Sequence, residues 1–298
     1  MTSEGGQTQD RVIRSPGRRC LTALVVLLAG HAWISAQEAA FPLAPDSVRF
    51  AVIGDNGTGE RPQYEVGAQM TAARARFPFA FVLMLGDNMY GRQQPLDFVQ
   101  KFERPYDGLL QAGVPFYATL GNHDDPDNRT YKGFNMNGAR YYTYVRGNVR
   151  FVVLDTNALD RAQIAWLENT LQDATEEWKI CYFHHPLYSD GGRHGSNVEL
   201  RVVLEPILVR YGVSVVFAGH EHIYERVVPQ KGITHFVEGA SGQLRRGDLE
   251  PSEMTAAAFD QDQSFMLVEI AGPTMYFQTV SRTGRVVDAG VIRRRPTT

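Results

Sequence analysis

FAFVLMLGDNMY, residues Phe79 to Tyr90, runs an unbroken apolar stretch into Gly86, Asp87 and, three positions later, Tyr90. An apolar run of strand length that does not alternate with polar residues predicts a strand buried on both faces. A Gly-Asp pair after such a strand reads as a turn, but a turn has no use for the tyrosine. Packing is one explanation for the Asp-Tyr pair, and two oxygens bound to one metal ion is another.

The pattern recurs along the chain. Apolar runs VRFAVIG (48–54), VPFYATLG (114–121), WKICYFHH (178–185) and VSVVFAGH (213–220) also end in polar clusters. The five clusters are GDNG (Gly54–Gly57), GDNMY (Gly86–Tyr90), GNHDD (Gly121–Asp125), FHHP (Phe183–Pro186) and GHEH (Gly219–His222). Between the runs, residues 61–76, parts of 95–110, 161–174 and 197–212 have helical spacing, with a break at Pro105. Gly147-Asn148 marks a hairpin inside 140–155. From Ile233 onward strands dominate, and they read as an antiparallel meander. These elements predict the α/β class, a four-layer α/β/β/α sandwich of two mixed β-sheets with helices on the outer faces.

Composition narrows the function. The chain has 298 residues, 43% apolar, with a formal net charge of −3, which suits a globular protein and leaves no electrostatic footprint for nucleic acid. Arg11, Arg14, Arg18 and Arg19 precede the apolar LTALVVLLAG (21–30), and small residues follow at Ser35 and Ala36. That order predicts a secretory signal over residues 1–36, with the protein secreted or periplasmic, and 45–295 as one catalytic domain. The apolar run is short for a membrane span, so no stable span is expected after cleavage. Cys20 lies in the leader, which leaves Cys181 as the one thiol of the mature chain and excludes an internal disulfide; its strand setting predicts a core residue.

In α/β sheets, ligands bind beyond the carboxyl ends of the strands, so the five clusters can converge. Together they offer carboxylate, imidazole, amide and phenol donors, a set that suits two hard-to-borderline metal ions. Independent turns would have no reason to share it. If His220 and His222 are extended, their side chains point to opposite sides. The pair can then serve two metals, or one metal on a bent loop. Glu221 between them would point away, to the surface or to support behind the ligands.

In order and spacing the five blocks resemble the calcineurin-like metallophosphoesterases and, within them, the purple acid phosphatases, from about Val48 to the last strands. Many members begin with Asp-x-His; here the place is held by Asp55-Asn56-Gly57, and Tyr90 would replace the missing ligand. The resemblance implies that Asp55, Tyr90 and His222 hold a first metal, expected to be ferric because a phenolate is a hard anionic donor. Asn122, His184 and His220 would hold a divalent one (Fe²⁺, Zn²⁺ or Mn²⁺), with Asp87 bridging both. His184 is taken over His185 because the family's ligand stands two residues before the proline. The implied activity is an acid phosphatase hydrolysing small phosphate monoesters through a metal-activated hydroxide. His123 and His194 are the candidates for phosphate contact or proton donation, and Asp124 the candidate to orient His123. Arg193 could meet phosphate or solvent. A phosphodiesterase or nucleotide hydrolase on the same site, and a non-catalytic metal- or phosphate-binding protein, are the alternatives. Tyr141, Tyr142 and Tyr144 are expected in the core and at a strand edge rather than as a substrate platform, Arg245 and Arg246 on a solvated loop rather than lining the pocket mouth, and His235 is given no role.

Overall fold

The computed structural model describes residues 40–295; the expected signal over 1–36 lies outside the described residues. Six strands form a first sheet: β1 (Val48–Ile53), β2 (Phe81–Met84), β3 (Phe116–Ala118), β11 (Ser264–Ala271), β12 (Thr274–Ser281) and β13 (Val286–Arg293), in the order β13-β12-β11-β1-β2-β3. The second sheet has β4 (Tyr142–Arg146), β5 (Val149–Val153), β6 (Trp178–Tyr182), β7 (Val215–Ala218), β8 (Tyr224–Val227), β9 (Thr234–Glu238) and β10 (Thr255–Phe259), in the order β10-β8-β9-β7-β6-β5-β4. Strands β1-β2-β3 are parallel to one another, and so are β5-β6-β7-β9; the remaining pairs are antiparallel.

The apolar runs are explained by three separate apolar layers. Phe50, Val52, Phe81, Leu83 and Leu85 face Phe151, Ile180, Tyr182 and Phe217 between the sheets. Their neighbours Ala51, Ile53, Val82 and Met84 point outward, onto helix α1 (Arg61–Arg74) and the segment around Phe102, Tyr106 and Leu109. On the far side Val152, Cys181, Phe183 and Val216 meet α4 (Arg161–Gln172) and α5 (Val198–Arg210). Both faces of each central strand are therefore apolar, and alternation disappears from the sequence although the strand period of two is intact.

The expected break at Pro105 is present. A short helix α2 (Pro95–Phe98) runs into a π-helical turn at Val99–Glu103, and α3 (Asp107–Gln111) begins after it. The C-terminal region departs from the expected single meander. Only β11-β12-β13 form one, against β1, whereas β9 lies parallel to β7 in the other sheet. Two strands carry no clear sequence signal. YERV (β8) is short with two charged residues, and TAAAF (β10) is a partly exposed alanine-rich edge strand. Tyr142 and Tyr144 cluster with the hydroxyl of Tyr182 at the inter-sheet core, and Tyr141 packs on Trp166. Among the described residues no helix is long and apolar enough to cross a membrane.

His235 on β9 is 2% exposed, packs 4.9 Å from the Tyr188 ring, and its Nε2 has no hydrogen-bond partner. Burial pushes its pKa down to about 3. Between that value and the ordinary ~6.5, the unfolded chain binds a proton that the folded chain does not, so stability falls as pH falls. From pH 8 to pH 5 this one group costs about 2 kcal/mol. Thermal unfolding of His235→Leu should therefore show an acid loss smaller than wild type by about that amount. An identical acid loss in the two proteins would show that His235 plays no part in it.

Candidate metal centre

The five polar clusters meet where the carboxyl ends of the parallel strands of the two sheets adjoin. Three backbone positions there are unusual. Asp55, Asp87 and His220 each follow a strand-ending glycine and have φ of 51°, 50° and 71°. Left-handed conformations in non-glycine residues cost of order 1–3 kcal/mol each and persist where the surroundings hold them, commonly at functional sites. Here each residue turns its side chain back across the strand ends. The glycines make room for the neighbouring block: a Cβ on Gly121 would lie 2.2 Å from Asp87 Oδ1, and one on Gly219 would lie 2.4 Å from Asp55 Oδ2.

Two donor groups result. In the first, the Tyr90 hydroxyl lies 3.1 Å from Asp55 Oδ1 and 3.2 Å from His222 Nε2, and His222 Nε2 is 3.4 Å from Asp55 Oδ1. In the second, His184 Nε2 is 3.1 Å from Asn122 Oδ1 and 3.2 Å from His220 Nδ1. Asp87 adjoins both. Its Oδ1 is 3.4 Å from His184 Nε2, and its carboxylate groups with Asp55 and His222 within 4.8 Å. The bend at His220 lets the two histidines of GHEH enter different groups.

Burial and mutual repulsion set the electrostatics of the site. Burial, then repulsion from Asp87, raises the Asp55 acid well above the usual carboxylate range. Burial, then the charges of Asp55 and Asp87, raises the Tyr90 phenol. Burial lowers His184, His220 and His222, with the imidazoles opposing each other's protonation around His220. The His184 Nδ1 proton goes to the Leu85 carbonyl at 2.9 Å, so Nε2 is left as a lone-pair donor facing Asn122 and His220. Neutral imidazoles are the form metal ions require, and a cation would offset the crowding that holds the Asp55 acid and the Tyr90 phenol up. The donor set fits two cations.

His123 and His194 flank these groups. The His123 amide donates to Asp87 Oδ1 at 2.9 Å, and its ring lies 4.8 Å from the Tyr90 ring. The His194 ring lies 4.3 Å from that of His220. Asp124 departs from expectation. Its carboxylate accepts from the amides of Gly121, Asn88 and Met89 and from Asn88 Nδ2, at 2.8 to 3.1 Å. It binds the GNHD block to the GDNMY block instead of orienting His123, because those four N–H groups occupy its oxygens. His123 is gripped instead through its backbone, by Asp87 at its amide and by Gln93, which donates to its carbonyl at 2.6 Å. No motif points to Gln93.

Two further residues, His185 and Arg245, differ from their sequence reading, and Glu221 takes the second of the two places expected for it, behind the ligands. His185 joins His184 and His220 within 4.8 Å, while Thr156 Oγ1 holds its Nδ1 at 2.9 Å. Glu221 does not reach the surface; it is fully buried. Arg245 is not on a solvated loop, since its guanidinium lies 3.5 Å from Glu221 and its charge acts on Asp55, His194 and His222. Arg246 turns outward and donates to the Gln261 carbonyl.

Comparison with known proteins agrees with this architecture. The family model of calcineurin-like phosphoesterases matches residues 48–224. The tartrate-resistant acid phosphatase type 5 of Oryctolagus cuniculus is 28% identical over 240 residues, covering 66% of this chain and 74% of that protein. Purple acid phosphatase 17 of Arabidopsis thaliana is 28% identical over 242 residues, covering 69% and 71%. Among solved structures, a purple acid phosphatase from yellow lupin (Lupinus luteus) seeds superposes with a TM-score of 0.69 at 19% identity, over 85% of this chain and 57% of that one. GAP50 of Plasmodium, described as the anchor in the inner membrane complex, superposes with a TM-score of 0.75 at 17% identity, over 85% and 90%. At these identities the two structures speak to the fold alone. The chain thus belongs to the calcineurin-like phosphoesterase family, as a metal-dependent phosphoesterase with purple and tartrate-resistant acid phosphatases among its relatives.

Proposed function

We propose that the protein is a dinuclear-metal acid phosphatase that hydrolyses small phosphate monoesters. The observation that carries this reading is the meeting of two complementary donor groups at one carboxylate, Asp87. Asp55, Tyr90 and His222 would hold one metal, ferric by the preference of a phenolate for a hard trivalent ion. Asn122, His184 and His220 would hold a divalent one, Fe²⁺, Zn²⁺ or Mn²⁺, with Asp87 shared. Bound there, the pair supplies the positive charge that draws in a phosphate ester and acidifies water.

The residues of the chain do the rest. His123 and His194 stand on either side of the donor groups, where their ring N–H groups can hold phosphate oxygens and one can pass its proton to the departing oxygen. Burial, then Arg245 and Arg193, lowers the pKa of His194. The neutral imidazole is thereby favoured, and it still carries one ring N–H to offer a phosphate oxygen. His185 is the ligand alternative, with its Nδ1 held by Thr156 Oγ1 at 2.9 Å; His184 is preferred because it stands two residues before Pro186 and faces Asn122 and Asp87. Residues 45–295 would form the catalytic domain, carried outside the cell or into the periplasm by the leader at 1–36.

The test is phosphate release by the purified full chain, with its metals analysed, from an aryl monoester and an aryl diester between pH 4 and 8. The expected result is monoester hydrolysis, strongest in acid, lost on chelation and restored by iron with a divalent metal. Preference for the diester would replace this reading with a phosphodiesterase. No release from any ester by fully loaded protein would leave a metal- or phosphate-binding protein.

A further inference from the structure

Glu221 stands between two candidate ligands, yet its carboxylate faces away from both groups. One oxygen, Oε1, accepts from the amides of His194 and Gly195, both at 2.7 Å. The other, Oε2, faces Arg245 Nη1 at 3.5 Å, and the Arg245 amide donates to the His222 carbonyl at 2.9 Å. The carboxylate thus ties the 191–195 loop to the GHEH turn and to Arg245. The loop passes close over it: a Cβ on Gly191 would lie 2.7 Å from Oε2. The same loop is pinned on its other side, where the Gly192 amide donates to the Asp248 carbonyl at 2.6 Å.

This loop carries His194. The ring packs against His220 and, with Pro186, Asn197 and Val198, lines a groove of about 280 Å³ that runs from His220 to the start of α5. A loop with three glycines at 191, 192 and 195 does not by itself hold an imidazole in one place. Two short bonds to a buried carboxylate do, and charge-assisted hydrogen bonds of this kind are roughly twice as strong as neutral ones.

We propose that Glu221 is a positioning residue: by gripping the amides of His194 and Gly195 it fixes the His194 ring against His220 and sets the wall of the groove that takes the organic part of the ester. The catalytic meaning of this rests on the phosphatase reading; the grip itself does not. Displacement of a catalytic group by about 1 Å can cost 10²-fold in rate, so the fall in kcat should exceed any change in KM.

The experiment uses the full metal-loaded chain in five forms: wild type, E221A, E221Q, H194A and the double variant E221A/H194A. Arg193 is exposed, so trypsin cleavage after it in the native protein reports local opening of the loop. Cleavage should rise about tenfold or more in E221A, with E221Q, which keeps an acceptor oxygen, in between. On an aryl monoester, kcat of E221A should fall about 10–100-fold, in the range seen for supporting residues of metal sites. In the H194A background the same change should cost less than about twofold, because coupled residues are not additive. Unchanged cleavage in E221A, or equal losses with and without His194, would overturn the proposal. So would loss of the metals from both E221A and E221Q, since Glu221 would then serve the ligands. A wild type without activity would count against the phosphatase reading alone, and the cleavage rates would still decide the grip.

Discussion

Asp87→Asn is expected to lose the ability to retain both metals and to lower kcat/KM by about 10³-fold or more. The substitution keeps the shape of the side chain and its Oδ1, which accepts the His123 amide at 2.9 Å. What it removes is the one negative charge that adjoins both donor groups. An amide oxygen can bind one cation weakly, and its nitrogen cannot bridge to a second. The same change has the opposite effect on the metal-free protein. There burial, and then repulsion from Asp87, raises the Asp55 acid well above the ordinary range, so removing the Asp87 charge should make the metal-free variant more stable to heat than the metal-free wild type. Metal analysis together with thermal unfolding, with and without chelator, checks both signs. A variant that kept two metals per chain would remove Asp87 from its proposed place. A metal-free variant less stable than wild type would show that the two carboxylates are not in conflict.

The fold was legible wherever the two-sided burial of a parallel strand leaves its mark. Phe50 to Ile53, Phe81 to Met84 and Val215 to Ala218 are fully apolar because adjacent side chains enter different apolar layers. The polar stops after them were legible for the same reason, since nothing apolar is needed past the strand end. Legibility fails where a residue's task is set by a partner distant in sequence. Arg245 looks like a solvent-facing charge, and Glu221 is left between the surface and a place behind the ligands, until β7 and the 242–248 segment come together. Asp124 looks like the partner of its neighbour His123, yet its acceptor capacity is taken by amides 35 and 36 residues away. The strand-end glycines read as turn formers. Gly121 and Gly219 are required more sharply than that, by the carboxylates of Asp87 and Asp55 pressed against their Cα positions. The assignment of His220 and His222 to different groups depends on one left-handed φ, which no local pattern announces.

Tyr90→Phe should abolish the visible absorption of the iron-loaded protein while leaving the fold in place. The ring of Tyr90 contacts His123 and His222, and phenylalanine keeps that packing. Only the hydroxyl goes, and with it the contacts at 3.1 Å to Asp55 and 3.2 Å to His222. In this pocket the phenol has no reason to ionise unaided, because burial and the charges of Asp55 and Asp87 all raise its pKa. A strongly charged cation reverses that balance: it stabilises the phenolate and relieves the two carboxylates together. With ferric iron bound there, that phenolate would give a charge-transfer band that neither Asp55 nor His222 can produce. Asp55, Asp87 and His222 remain in the variant, so a divalent ion should still bind there and part of the hydrolytic activity should survive. This split, colour lost completely and activity lost in part, separates a ligand that selects the metal from one that merely completes the site. Wild-type protein that is colourless, free of iron and fully active would overturn the ferric assignment and leave a phosphoesterase with two divalent metals. A coloured Tyr90→Phe protein would move the phenolate to another tyrosine, and the described residues show no second phenol within hydrogen-bond reach of Asp55 or His222. On the proposed ligand set, the departure of GDNG from Asp-x-His and the presence of Tyr90 in GDNMY stand or fall together: the first block would lack an imidazole because the second presents a phenol in its place.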